Sequence, residues 1–313
     1  MAKNVCLNDV INIESLKEGI IYHYTSAEGL LSILENCEIW ATNSNFLNDK
    51  SEFIYTHKLF YEKILKEIKN EKIKTIMINR FNYNTCDPVT LDANDIYTAR
   101  YIISFSKSPD NLLLWSEFSG NTGYNIGFDI SKLKDKLNNL WGFDGKVIYN
   151  KERQIELLKN VVSVMLKETF QDKNINSLDD LSDNINVEDI QKMLPVLHNI
   201  IELYSMFFKQ SEFEQEEEYR LVIQVSHGVP SRLLCANESG IFFKETNNKM
   251  YFRVKEGMLS PFVKVPFWDL DSLESITVGP KNNIDIAKTG LEIYCRNKEI
   301  NPKILKSNIP LRY

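Results

Sequence analysis

Apolar positions along the chain follow two periods. Short alternating runs read as strands: "EIWATN" (38–43), "YIISFSKS" (101–108), "GYNIGFDI" (123–130), "GKVIYN" (145–150), "EEYRLVIQV" (217–225), "KMYFRVK" (249–255), "PFVKVPF" (261–267), "ESITVGP" (274–280) and "PKILKS" (302–307). A further strand ends near Tyr22–Thr25, where Ser26 caps a helix with Glu28 in its first turn and Leu30, Leu31, Ile33 and Leu34 on its apolar side. Helical spacing recurs over residues 53–80, 111–120, 151–171, 190–210 and 283–297, and Pro195 is expected to kink or restart the fourth of these. The stretches 44–53, 81–95 and 174–189 are polar and turn-rich and read as loops. The count predicts an α+β fold around a mostly antiparallel sheet, a single domain over 1–313 with a helical insertion at about 151–210.

Composition narrows the class. With 43% hydrophobic and 26% charged residues, 313 residues can bury a sizeable core. The net charge of −6 argues against a wide basic footprint for duplex nucleic acid, though not against a local groove. The five cysteines are scattered and never spaced as C-x-x-C, so neither a disulfide framework nor a zinc ribbon is expected, and a reducing, cytoplasmic location fits. The N-terminal residues hold no long apolar run, so no signal peptide is expected, and no stretch suits a membrane span.

Four segments can carry chemistry. In "FEQEEEYRLVI" (213–223), strand alternation would align Glu214, Glu216 and Glu218 on one side with Arg220 next in the row, while Tyr219, Leu221 and Ile223 point to the core. Crowded carboxylates raise at least one pKa unless a cation compensates, and Arg220 is placed to do so; the alternative is a solvated acidic strand start. Ser104 and Ser106 share one strand face and can line a pocket without obstructing a planar ligand. Trp115 and Phe118 are helically spaced beside Gly120, Gly123 and Gly127, which fits either a buried aromatic pair or a ring that stacks on a ligand. In "FLNDKSE" (46–52), Asn48, Asp49 and Glu52 gather in a turn that equally suits a helix start. Metal-ligand spacing, a P-loop and a nucleophile elbow are missing from the sequence, and His57, His198 and His227 read as structural. His23, between two tyrosines and ahead of Thr25 and Ser26, is either a packed histidine or a ligand-holding one.

Taken in order, "YHYTS…GLLSILENCEIWATN…FLND…SEF", "SFSKS…LLLWSEFSGNTGYNIGFD", "FEQEEEYRLV", "ITVGP" and "LKSNIPLR" resemble a bacterial family catalogued as a domain of unknown function and grouped with the ADP-ribosyltransferases. The resemblance implies a split antiparallel β-sheet with an NAD cleft between its halves. His23 and Thr25 match a first-strand motif that holds the NAD ribose and nicotinamide amide, similar to the H-x-T of DarT-type enzymes, with Tyr24 adding backbone contacts. Ser104, Trp115 and Phe118 fall in the motif that stacks on nicotinamide; Phe118 stands where relatives usually carry Tyr, so a role for a phenolic hydroxyl is not implied. Glu218 matches the glutamate of the late strand, Glu216 its E-x-E partner, and Arg220, Asn48 and Asp49 line the same cleft. Cys37 stands where relatives generally have Gly.

The implied activity is transfer of ADP-ribose from NAD, used as a substrate, to a macromolecular acceptor. Glu218 would stabilise the oxocarbenium-like ribose, and Glu216 or Asp49 would act as general base. RNA or DNA is the favoured acceptor and protein the competitor. Lys63, Lys66, Lys69, Lys72, Lys74 and Arg80 could offer phosphate contacts, although the interspersed glutamates favour reading this run as a solvated face. A toxin or antiphage effector with an antitoxin or regulatory protein is the implied setting, without membrane involvement. The alternatives are an NAD glycohydrolase and a degenerate binding or sensor module.

Overall fold

A computed structural model describes residues 11–47, 51–81, 97–119, 122–137, 142–170, 180, 186–227, 232–237, 240–245, 249–255, 257–267, 269–282 and 284–310. The fold is mixed α/β, built on an open sheet that is mostly antiparallel. Strands β1 (Ile20–Thr25), β2 (Glu38–Asn43), β3 (Tyr97–Ser106) and β4 (Tyr124–Asp129) form its middle with β10 (Met258–Pro266), β9 (Met250–Lys255), β11 (Leu273–Val278) and β12 (Lys303–Lys306), in the order β12-β11-β4-β1-β3-β2-β10-β9. A second branch leaves β3 through β6 (Glu218–His227), which pairs with β5 (Phe143–Lys146) and β7 (Arg232–Asn237), and β7 pairs with β8 (Gly240–Glu245). Only β11 and β12 run parallel among the named pairs of described strands.

Alternation explains the central layers. Tyr101, Ile103 and Phe105 on β3 meet Ile223, Leu221 and Tyr219 on β6, and all six are buried. Helix α1 (Ala27–Asn36) closes the same core with Leu30, Ile33 and Leu34; Ser26 caps it through the Gly29 N–H at 3.1 Å. It ends at Cys37, whose φ of 49° is left-handed, a conformation that favours glycine. Opposite the sheet lies a second core. Helices α2 (Ser51–Lys63) and α3 (Glu71–Arg80) contribute Phe60, Ile73 and Met77 to it. Downstream come α4 (Leu112–Ser119) and α5 (Ile130–Leu137), then α6 (Lys151–Thr169) and α7 (Val187–Ser205), whose Leu158, Val162, Leu197 and Ile201 pack into that core. The helical insertion thus shares its core with residues 51–81. Helix α8 (Ile284–Asn297) lies beyond β11 in the chain.

Three expectations are corrected. The expected helix over 53–80 is broken after Lys63 by a 3-10 turn, Leu65–Glu67, which buries Ile64, Leu65 and Ile68. Helix α7 does not restart at Pro195 but runs on as one element from Val187 to Ser205, with Met193, Leu194 and Leu197 buried around it; tertiary packing offsets the backbone bond that the missing N–H removes. The acidic run is not one strand: Ser211–Glu216 form a 3-10 turn, Glu217 adopts a left-handed φ of 44°, and β6 begins only at Glu218. Expectations for the loop 81–95 fall almost entirely outside the described residues.

Two consequences are testable by denaturation. A Cβ on Gly123 would lie 2.2 Å from the Thr25 carbonyl oxygen and 2.6 Å from the Ser119 Cβ. Gly123→Ala is therefore expected to lower stability by roughly 1–3 kcal/mol, read as a shift of the urea midpoint. His57 on α2 is wholly buried beside His198 of α7, and burial, only partly opposed by Glu202, pulls its pKa down to about 4. A depressed folded pKa means that this stability is complete above the unfolded value near 6.5 and is lost as pH falls toward 4, by about 3 kcal/mol. The loss should be smaller in His57→Asn over the same interval.

Candidate active site at the sheet fork

Strand β3 has one edge fully occupied by β6, from Tyr97↔His227 to Ser106↔Glu218. Its other edge is shared. Strand β1 touches it only at Tyr22↔Ser106 and then follows β4, while β2 pairs lower down at Thr42↔Ile102 and Asn43↔Tyr101. Between these junctions the sheet forks, and Ser104 stands in the gap. Its carbonyl is taken by the His23 Nδ1 at 3.0 Å. Because a carbonyl only accepts, Nδ1 donates, which leaves Nε2 as an acceptor in the neutral ring. Burial lowers the His23 pKa and Arg253 adds to that, against the Ser104 hydrogen bond. The ring also meets Phe105 edge-on at 5.7 Å.

The strand register puts Ser104 opposite Arg220 and Ser106 opposite Glu218, on the face away from Phe105 and Tyr219. Here lies a buried ionic cluster. Arg220 donates through Nε and Nη2 to the two oxygens of Glu218 at 2.9 and 2.8 Å, and through Nη1 to the Met206 carbonyl at 2.9 Å. Lys209 Nζ lies 2.6 Å from Glu216 and 3.6 Å from Glu218, and 4.6 Å from the centre of the Phe213 ring. Glu216, Glu218 and Arg220 are 4%, 7% and 2% exposed, which rules out a solvated strand start. Two carboxylates and two cations balance formally.

The environment drives the two acids apart. Burial would raise Glu218, but the charges of Arg220 and Lys209, with hydrogen bonds from Arg220 and the Ser104 hydroxyl, outweigh it and hold the carboxyl below its usual range. Glu216 is raised: burial leads, Glu218 and Glu117 add to it, and Lys209 only partly compensates. Such divergence is how paired carboxylates acquire different roles. The approach to Glu218 is fixed by backbone. Ser106 Oγ donates to the Glu216 carbonyl at 2.7 Å, Asn111 Nδ2 to the Gln215 carbonyl at 2.6 Å, and the Glu218 N–H to the Tyr149 hydroxyl at 3.0 Å.

Ser104 thus lies between the strands that carry His23 and Glu218: its carbonyl holds the His23 ring, which packs on Phe105, while its side chain is on the other face with Arg220 and Glu218. The side chains expected around them are distributed differently. Trp115 is wholly buried, edge-on to Tyr24 at 4.8 Å, and its Nε1 donates to Asp110 at 2.7 Å, so it is a core residue rather than a stacking platform. Phe118, one turn on, is 41% exposed and is the aromatic of α4 that a ligand can reach. Tyr24 spends its hydroxyl on the Ser108 carbonyl and the Asn111 N–H. Thr25 closes β1, its hydroxyl seated over the first turn of α1, where a Cβ on Gly29 would come within 2.0 Å of it. Asn48 and Asp49 lie outside the described residues. Sequence reasoning missed Lys209 and Arg253. Lys209 had a signal, since it is the lone charge ending the run "LYSMFFK" (203–209).

Among the described residues, no group of His, Cys, Asp and Glu is arranged to hold a metal ion, and no helix is long and apolar enough to cross a membrane. No curated protein and no solved structure matches the chain. Residues 114–221, from α4 to the Arg220–Leu221 step of β6, are similar to a family described as a protein of unknown function (DUF2971), and this stretch holds Glu216, Glu218, Arg220 and Lys209 but not His23 or Ser104.

Proposed function

We propose that the chain is an NAD-dependent ADP-ribosyltransferase that modifies a macromolecular acceptor, nucleic acid before protein. The observation that carries this reading is the place of Ser104 at the fork of the sheet, where its carbonyl holds the neutral ring of His23 and its strand pairs with the one that carries Glu218, whose carboxyl is held below its usual range. His23, with its proton held on Nδ1, would accept a ribose hydroxyl at Nε2. Glu218 would accept a second ribose hydroxyl and so steady the positive charge that develops as the nicotinamide–ribose bond breaks and its electron pair leaves with nicotinamide. Because Arg220 and Lys209 neutralise the cluster, this help is local hydrogen bonding rather than a broad negative field. Glu216, with its raised pKa, suits the general base that takes the proton of the attacking acceptor. Phe118 would flank the nicotinamide.

One observation favours a second reading, a binding module without catalysis: both oxygens of Glu218 are already engaged by Arg220, as in a structural ion pair. The deciding experiment incubates the protein with NAD labelled in its adenylate half and separate pools of RNA, DNA and protein, beside Glu218→Ala. Label entering one pool and lost in the variant supports the transferase and names its acceptor class. Free ADP-ribose without a labelled pool indicates a glycohydrolase, and intact NAD throughout indicates the binding module.

A further inference from the structure

Among the described residues, two arginines of the sheet are held by acids and a third is not. Arg220 is held by Glu218, and Arg100 by Glu202 at 2.7 Å. Arg253 on β9, half-buried, has no carboxylate partner among the described residues. Its Nη2 donates to the Thr42 hydroxyl at 2.8 Å, while its Nε is shut off from solvent without a hydrogen-bond partner. Directly opposite in the β9–β10 register stands Ser260, 2% exposed, whose hydroxyl also lacks a partner. Thr42, the third polar group, is 8% exposed.

A guanidinium partly withdrawn from water and left without an anion is unfavourable, and buried donors left unmade each add to that. Here a cation and two hydroxyls converge on one side of the hairpin, an arrangement that an acceptor-rich oxyanion satisfies at once. The position matters too. Thr42 is the register partner of Ile102, and Ile102 lies two residues from Ser104 on the same face of β3, so the Arg253 group lies along the fork from Ser104 and Glu218. Arg253 is also close enough to His23 to act on its protonation.

We infer that Arg253, with the hydroxyls of Thr42 and Ser260, is a binding site for a phosphate-class oxyanion. The identity of the molecule that carries the phosphate rests on the function proposed above, under which it is the diphosphate of NAD; the site itself does not. Inorganic diphosphate, ADP-ribose and NAD are titrated calorimetrically into the wild type, Arg253→Gln, Arg253→Lys and, as a control for charge alone, Lys264→Gln, with thermal melts to verify folding. Diphosphate is expected to bind the wild type in a salt-sensitive manner. Arg253→Gln should weaken it about tenfold or more, Arg253→Lys less, and Lys264→Gln hardly at all. Diphosphate binding that depends on Arg253 while NAD fails to bind upholds the anion site and removes the NAD reading. NAD binding undiminished in a folded Arg253→Gln, or no binding of any phosphate probe by the wild type, overturns the site.

Discussion

Arg220→Ala is expected to destabilise the fold by about 3–5 kcal/mol, because it strands an ionised carboxylate in a dry interior. The wild-type guanidinium supplies three hydrogen bonds, two to Glu218 and one to the Met206 carbonyl, and at 2% exposure water cannot replace them. Lys209 remains, but at 3.6 Å from Glu218 and already bound to Glu216 it is a poor substitute. The penalty should depend on pH, with a definite sign. In the wild type the Glu218 pKa is depressed, so its contribution is present above the unfolded value and fades as pH falls. Without Arg220 the same carboxyl is raised by burial, and its proton uptake relieves the strain, so the gap between wild type and variant narrows as pH falls from the variant's raised pKa toward the wild type's depressed one. Urea denaturation at pH 7 and pH 4 measures it. A second variant separates burial from pairing: Glu218→Leu with Arg220→Met removes both charges and should recover most of the stability lost by Arg220→Ala alone. A loss at pH 7 no larger than that of a surface substitution would show that water reaches the cluster.

The fold was legible where local pattern and tertiary environment agree. The alternation in "YIISFSKS" and "EEYRLVI" places Tyr101, Ile103, Phe105, Tyr219 and Leu221 in the core, and the structure has them there. It also pairs Ser104 with Ser106 on one strand and Glu218 with Arg220 on another, and the β3–β6 register brings the two pairs onto one face. What alternation cannot show is a break in the strand itself. Glu214 and Glu216 have the spacing of strand neighbours of Glu218, yet the left-handed turn at Glu217 swings them into a 3-10 segment. Glu216 reaches the cluster through Lys209, seven residues earlier. The fork is likewise invisible locally, since it arises from β1 and β2 sharing one edge of β3 at different heights. Trp115 shows the limit for aromatics. Its spacing to Phe118 fits a ligand platform, but only the packing against Tyr24 decides which ring is buried and which is exposed.

Glu218→Gln is the substitution with the largest expected effect on activity. Under the proposed chemistry it should reduce ADP-ribose transfer by roughly 10²–10³-fold, the range seen when one preorganised group that acts on transition-state charge is removed. The amide keeps the size of the side chain but replaces one acceptor oxygen by a donor, which then faces the donors of Arg220 and of the ribose. Some stability will be lost too, so the transfer rate must be read at a temperature where circular dichroism finds the variant folded. The partner substitution distinguishes the two acids. Glu216→Gln removes a group whose pKa is raised, and a raised base titrates nearer neutrality than an ordinary carboxylate. Wild-type transfer should therefore rise with pH along a limb set by Glu216, and Glu216→Gln should flatten that limb while leaving NAD affinity within a few-fold. If Glu218→Gln instead leaves transfer intact while stability falls, the cluster is a structural staple and the reacting groups lie elsewhere along the fork. Loss of the pH limb in Glu216→Gln together with loss of rate in Glu218→Gln would assign the base to one acid and the ribose contact to the other.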